Sequence, residues 1–233
     1  RMAVAEAWVH ANRRPAYAST NGLGQSFNFD MLGAGWNPKK VREIADYNLT
    51  AAKKSGSSTT WVLSNHDIIR HATRFAFPEV SDFAGWYKAN RFSAKPDIAL
   101  GTARANAMTM LLLALPGSTY IYQGEELALQ EVLDIPAEHM QDPQFFRNPE
   151  LGLSRDGCRV PLPWDKTGSS FGFGANGSTW NGLPVSVLTQ VAPTGVTSSV
   201  AGDVVTSWVD RNVVPYYKGT WGGIKRVGSV DDY

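Results

Sequence analysis

A 233-residue chain with 43% hydrophobic and 18% charged positions has the balance of a globular protein able to bury a core, which excludes compositional disorder. Its 22 Lys and Arg nearly cancel its 21 Asp and Glu, so no global field is available to hold nucleic acid or an anionic membrane surface, and a neutral small substrate suits it better. The single cysteine, Cys158, excludes an internal disulfide, and no run of about eighteen apolar residues offers a membrane span.

The chain opens at Arg1 on a short apolar run, residues 2–9, broken by Glu6. This predicts a buried parallel strand whose end presents one carboxylate, and the abrupt start reads as a cut edge. Residues 25–32, QSFNFDML, alternate polar and apolar and predict a second strand. Asn37-Pro38 is a strong helix start, with Val41, Ile44, Ala45, Leu49 and Ala52 at helical spacing and Lys53-Lys54 near the stop at Gly56. Residues 59–64, TTWVLS, predict a third strand delivering Asn65-His66-Asp67 at its carboxyl end. The polar and aromatic stretch 68–96 is expected to be a long loop or lid. Asp97 caps a helix to about residue 115, Pro116-Gly117 closes it, and STYIYQ, residues 118–123, predicts a fourth strand ending in Gly124-Glu125-Glu126. Strand and helix in alternation are the pattern of parallel α/β units, and four such strands make half of a (β/α)8 barrel. From residue 128 the chain is irregular and proline-rich, with the cluster SRDGCR at 154–159, and from 185 it turns to Val, Thr, Ser and Gly without decisive periodicity.

Three polar groups fall at strand ends: Glu6, His66-Asp67 and Glu125-Glu126. Parallel barrel strands converge at their carboxyl ends, so Glu6 and Asp67 are candidates for one site. Breaking an acetal bond needs an acid at the leaving oxygen and anions facing the oxocarbenium-like centre. By pattern alone, Glu6 is as readily a solvated or ion-paired acid, Asn-His-Asp a turn cap, and Glu125-Glu126 a helix N-terminus. Arg155 and Arg159 either lock a nearby carboxylate or donate paired hydrogen bonds to hydroxyls. The P-loop, HExxH and CxxC motifs are absent, the four histidines are scattered, and neither cofactor nor metal is called for.

The segments VAEAWV (4–9), FNFDML (27–32), WVLSNHD (61–67), ALPGSTYIYQGEELAL (114–129) and SRDGCRVPLPW (154–164), in this order, resemble the α-amylase superfamily of glycoside hydrolases, family 13. The closest likeness is to its α-glucosidase and oligo-1,6-glucosidase branch. The resemblance implies an α/β fold, the second half of a (β/α)8 TIM barrel, incomplete, over residues 1–184, with a tail at 185–233 unlike the family's β-domain. It implies that Glu6 is the general acid/base and Asp67 the carboxylate that stabilises the transition state, with His66 and Arg155 binding the first glucose. The segment that holds the family's nucleophile does not precede Glu6, and Ala5 stands where the family has glycine.

The reading is a retaining α-glucosidase acting on small oligosaccharides or disaccharides, here an inactive fragment, expected to be cytoplasmic and aggregation-prone in isolation. The alternatives are a sucrose or trehalose isomerase, a transglucosylase, or a non-catalytic barrel scaffold.

Overall fold

The structure is a computed structural model; it describes residues 3–164 apart from positions 20, 81, 91, 92, 150 and 151, together with Phe173 and the strand residues 220, 221, 224 and 225. The chain divides into two compact units, Arg1–Glu131 and Val132–Tyr233.

The first unit alternates strand and helix. Strand β1 (Ala3–Ala5) pairs in parallel with β2 (Gly24–Ser26), and β3 (Thr60–Val62) pairs in parallel with β4 (Ser118–Tyr120). Side chains join the two ladders: Thr60 Oγ1 donates to the Ser26 carbonyl and accepts from the Asn28 N–H, and Gln25 donates to Ser118 and accepts from the Tyr120 hydroxyl. All four strands are shorter than their apolar runs suggest. The second shows why: after Ser26 the expected alternation gives way to a 3-10 turn, Asp30–Gly33. Asp30 is drawn out of strand geometry by Arg14, which bonds its carboxylate at 2.6 Å and also donates to Asn28, and by Asn48 Nδ2 at 3.0 Å. A charge-assisted pair in a part-buried setting outweighs the fraction of a kcal/mol that strand propensity offers there.

The helix α1 (Arg14–Ala18) leads into β2, and α2 (Pro38–Ser55) follows the 3-10 turn. Asn37 caps α2 by accepting from the Lys40 N–H at 3.0 Å, and Gly56, at φ 67°, ends it in the left-handed conformation that glycine adopts without steric cost. The stretch 68–96 is not an open loop: it contains α3 (His71–Ala76) and α4 (Phe83–Asn90), each too short to leave a helical period in the sequence. Asp97 Oδ1 caps α5 (Ile98–Ala114) from the Leu100 N–H. The core is built from Met31, Trp61, Leu63, Phe75, Ala105, Met108 and Leu112, with Trp61 fully buried and its indole N–H on the Pro116 carbonyl at 2.9 Å. On its other side α5 leaves Leu100, Met110, Leu111 and Leu113 exposed.

In the second unit Val132, Ile135 and Val160 form a small core with Met140, beside the short helix α6 (Pro143–Arg147). The tail read at 185–233 lies outside the described residues except for β5 (Thr220–Trp221) and β6 (Ile224–Lys225), an antiparallel pair. Among the described residues, no helix is long and apolar enough to cross a membrane.

Candidate active site

Glu6 follows β1 directly, and His66 and Asp67 lie four and five residues past the end of β3. Two carboxylates 61 positions apart in the chain meet there. Ligand atoms of Glu6, His66 and Asp67 all lie within 4.8 Å of one another. His66 Nε2 stands 3.6 Å from Asp67 Oδ2, and the Asp67 N–H donates to Asn65 Oδ1 at 2.9 Å, a local turn that presents the carboxylate. Glu6 and His66 are exposed and Asp67 is partly covered, so the cluster is open to a solute. The same three groups fit the donor chemistry of a divalent cation, but two acids and a histidine on an exposed surface do not by themselves define one.

An aromatic row borders the cluster. Trp8, two residues beyond Glu6, stacks on Phe29 with ring centroids 4.2 Å apart and keeps 63% of its surface exposed. Phe29 continues to Phe27, whose ring meets Tyr120 edge-on. Rings in this arrangement offer a flat apolar face beside charged oxygens, the combination that a sugar ring with one hydrophobic face requires.

Beneath the exposed acids lies a buried polar network that sequence reasoning did not find. His71 Nδ1 lies 3.0 Å from Ser64 Oγ and 3.1 Å from Glu125 Oε1. A serine relay needs its hydroxyl and its acid on opposite ring nitrogens; here both face the same one, and all three side chains are buried. Glu125 Oε2 accepts from the Tyr122 N–H and Glu126 Oε2 from the Gly124 N–H, so this pair is structural, as a helix N-terminus predicts. Glu131 accepts from the Arg70 N–H at 2.9 Å while the Arg70 guanidinium donates to the Gln123 carbonyl and lies over the Tyr122 ring.

Burial pushes the Glu131 carboxyl up to about 7, against the Arg70 N–H bond and the charges of Arg70 and Arg74. Between the unfolded value near 4.5 and about 7 the folded chain therefore holds a proton that the unfolded chain has released. The associated stability is full below pH 4.5 and is lost as pH rises through 7. Replacing Glu131 with Gln is expected to remove most of the fall in melting temperature between pH 5 and pH 8, a difference of several degrees read by thermal melts of both proteins across that range.

Arg155, in the second unit, is held by Asp142, whose carboxylate accepts from the Arg155 N–H, Nε and Nη2 at 2.7–2.8 Å. Of the two readings of this arginine, the structure displays the carboxylate lock.

Two carboxylates and a histidine thus meet just past the ends of β1 and β3 in an α/β framework, with the exposed Trp8 ring two residues beyond Glu6. Residues 1–188 match the alpha-amylase catalytic-domain family, and the chain belongs to that family.

Its relatives include a "Probable alpha-glucosidase" of Rhizobium meliloti, 34% identical over 153 residues, covering 64% of this chain and 22% of that protein. Another is Maltase A1 of Drosophila melanogaster, 32% identical over 170 residues, covering 71% and 24%. The chain thus spans about a quarter of the length of these curated relatives. The solved structure of Bacillus licheniformis trehalose-6-phosphate hydrolase is similar in fold, with a TM-score of 0.60 at 20% identity over 91% of this chain and 40% of that one. A separate match of 39 residues, 17% of the chain, is 56% identical to the arsenite oxidase subunit AioA of Herminiimonas arsenicoxydans and covers 5% of that protein.

Proposed function

We propose that this chain is the second half of the (β/α)8 barrel of a retaining α-glucosidase that releases terminal glucose from small oligosaccharides or disaccharides. The observation that carries the reading is the convergence of Glu6, His66 and Asp67 within 4.8 Å. Retention is taken from the family resemblance, because the spacing that decides it runs from the acid to the nucleophile, a role to which no residue here is assigned.

In the proposed mechanism Glu6 protonates the departing glycosidic oxygen and later takes a proton from the incoming water. Asp67 faces the cationic sugar ring and stabilises it, and His66, against Asp67, donates to a sugar hydroxyl. Arg155, engaged by Asp142 in the second unit, keeps a sugar-binding assignment from its motif alone. Trp8 stands next to the acid that protonates the leaving group, which suits it to carry the leaving sugar on its exposed face. The nucleophilic carboxylate is not assigned to any residue of this chain, so the chain alone is proposed to bind sugar without cleaving it.

The test combines NMR of the histidine side chains with glucose assays on maltose, isomaltose and sucrose, for the native sequence, Glu6→Gln and Asp67→Asn. Expected results are a maltose-dependent shift of the His66 imidazole, lost or weakened in Asp67→Asn, and no glucose above the Glu6→Gln control. Release that Glu6→Gln abolishes, by the roughly 10²- to 10⁴-fold that a general acid contributes, would show that another carboxylate completes the site. A His66 signal indifferent to every sugar would sink the reading itself.

A further inference from the structure

The segment that carries His66 and Asp67 is short and polar, and a loop of this kind is ordered only where other groups compensate its backbone entropy. One set of contacts lies at its neck. The His71 N–H donates to Ser64 Oγ at 2.9 Å, joining the start of the loop to the first residue of α3. The guanidinium of Arg74, one turn into α3, donates through Nη2 to the Leu63 carbonyl at 2.7 Å and through Nη1 to the Ile69 carbonyl. Leu63 is where the chain leaves β3, and Ile69 is where it turns toward α3. A single planar fork therefore spans both sides of the loop, with His66 and Asp67 beyond it.

We propose that Arg74 is a positioning residue for the carboxylate site: by holding the Leu63 and Ile69 carbonyls together it sets the direction in which His66 and Asp67 project toward Glu6. The inference rests on the reading of His66 and Asp67 as site residues. Arg74 touches none of the three; it acts through the backbone they share.

The charge is part of the device. Burial lowers the Arg74 pKa to about 10, while Glu125 and Glu131 oppose that shift, so the group remains cationic at neutral pH. Bonds from a guanidinium to carbonyls are charge-assisted, and the two acids compensate the cation in its part-buried position. Lysine would keep the charge, but as a flexible point donor it does not reproduce a fork that grips two carbonyls in one plane. The groups that share this region are Arg70, His71, Glu125, Glu126 and Glu131.

The test uses the full 233-residue chain, native, Arg74→Met and Arg74→Lys, with amide hydrogen exchange and NMR chemical shifts of the histidine side chains. Loss of a charge-assisted bond is worth about 1.5–3 kcal/mol, which is roughly tenfold or more in local opening. Arg74→Met is therefore expected to speed exchange at the Asp67, Arg70 and His71 amides by roughly that factor, leaving the α2 and α5 amides unchanged. It is also expected to shift the His66 imidazole resonances, because the ring would no longer be held 3.6 Å from Asp67. Arg74→Lys is expected to fall between.

Uniform acceleration throughout Arg1–Glu131, or local opening with unmoved His66 resonances, would overturn the proposal by reducing Arg74 to an ordinary structural cation. Should Arg74→Met fail to fold, Arg74→Lys decides the matter by the same two criteria. Neither readout requires turnover or bound sugar, so a failure of the glucosidase reading leaves this result interpretable.

Discussion

Replacing Gly101 with Val is expected to destabilise the first unit by about 3 kcal/mol or more, and replacing it with Ala by about 1–2 kcal/mol. Gly101 sits in the first turn of α5 where that helix crosses α3. A Cβ built there would stand 2.4 Å from the Ala72 carbonyl oxygen and 2.6 Å from Ala76 Cβ. Two effects oppose each other. Glycine in a helix interior costs about 0.5–1 kcal/mol relative to alanine, so the substitution gains that much in local propensity. The contacts are with backbone and with a methyl that cannot swing aside, so α3 must move, and overpacking of this kind costs about 1–3 kcal/mol. The clash wins for Ala and wins by more for the branched side chain.

Because α3 follows the Asp67 loop directly and carries Arg74, its displacement should also reach the site. Denaturant unfolding followed by tryptophan emission, with the His66 resonance as a second probe, checks both parts. A stabilised Gly101→Ala protein would show that α3 yields without cost.

The second large effect is expected at Asp142. Its side chain is wholly buried and accepts four hydrogen bonds, three from Arg155 and one from the Gln144 N–H at 3.1 Å. The Arg155 bonds, ahead of the opposing cost of burial, hold its carboxyl far below the usual carboxylate range. Asp142→Asn keeps the shape but turns an N–H2 toward a guanidinium that can only donate. Removing one partner of such a pair costs about 3–5 kcal/mol when the other is fully buried; Arg155 is 31% exposed on its side chain, so about 2–3 kcal/mol is expected.

The pH dependence carries the sign. A depressed folded pKa gives stability that is complete above the unfolded value near 3.8 and is lost only as pH falls through the folded value. The native chain should therefore lose stability steeply between about pH 4 and pH 2, and Asp142→Asn, already weaker at pH 7, should lose less over that interval. Denaturation midpoints of the two proteins at pH 7 and pH 3 measure this, and equal midpoints at pH 7 would remove the lock from any account of the second unit.

Both effects were hidden in the sequence for the same reason: they depend on what packs against a residue rather than on its neighbours along the chain. Nothing near Gly101 distinguishes it from a tolerated helix glycine until α3 crosses it. Arg155 has Asp156 beside it as an apparent partner, but the carboxylate it grips is thirteen positions away. The network of buried Arg70, Glu125 and Glu131 with part-buried Arg74 was likewise illegible, since charges on short segments read as solvated until the fold closes over them.

Local chemistry was the part the sequence determined. The Asn37-Pro38 start and the glycine stop place α2 correctly, Asp97 caps α5, and the four apolar runs mark the four strands, because capping and apolar runs depend on residues within one element. It also brought Glu6 and Asp67 forward as strand-end acids, and the segments around them carried the family. Tertiary structure alone decided the rest. The first four strands are three residues long, Asp30 leaves its strand for Arg14, α3 forms in a stretch without periodicity because α5 packs on it, and two carboxylates 61 positions apart come within 4.8 Å. Each of these depends on the meeting of groups that the chain order keeps apart, and only the packing of the folded chain brings them together.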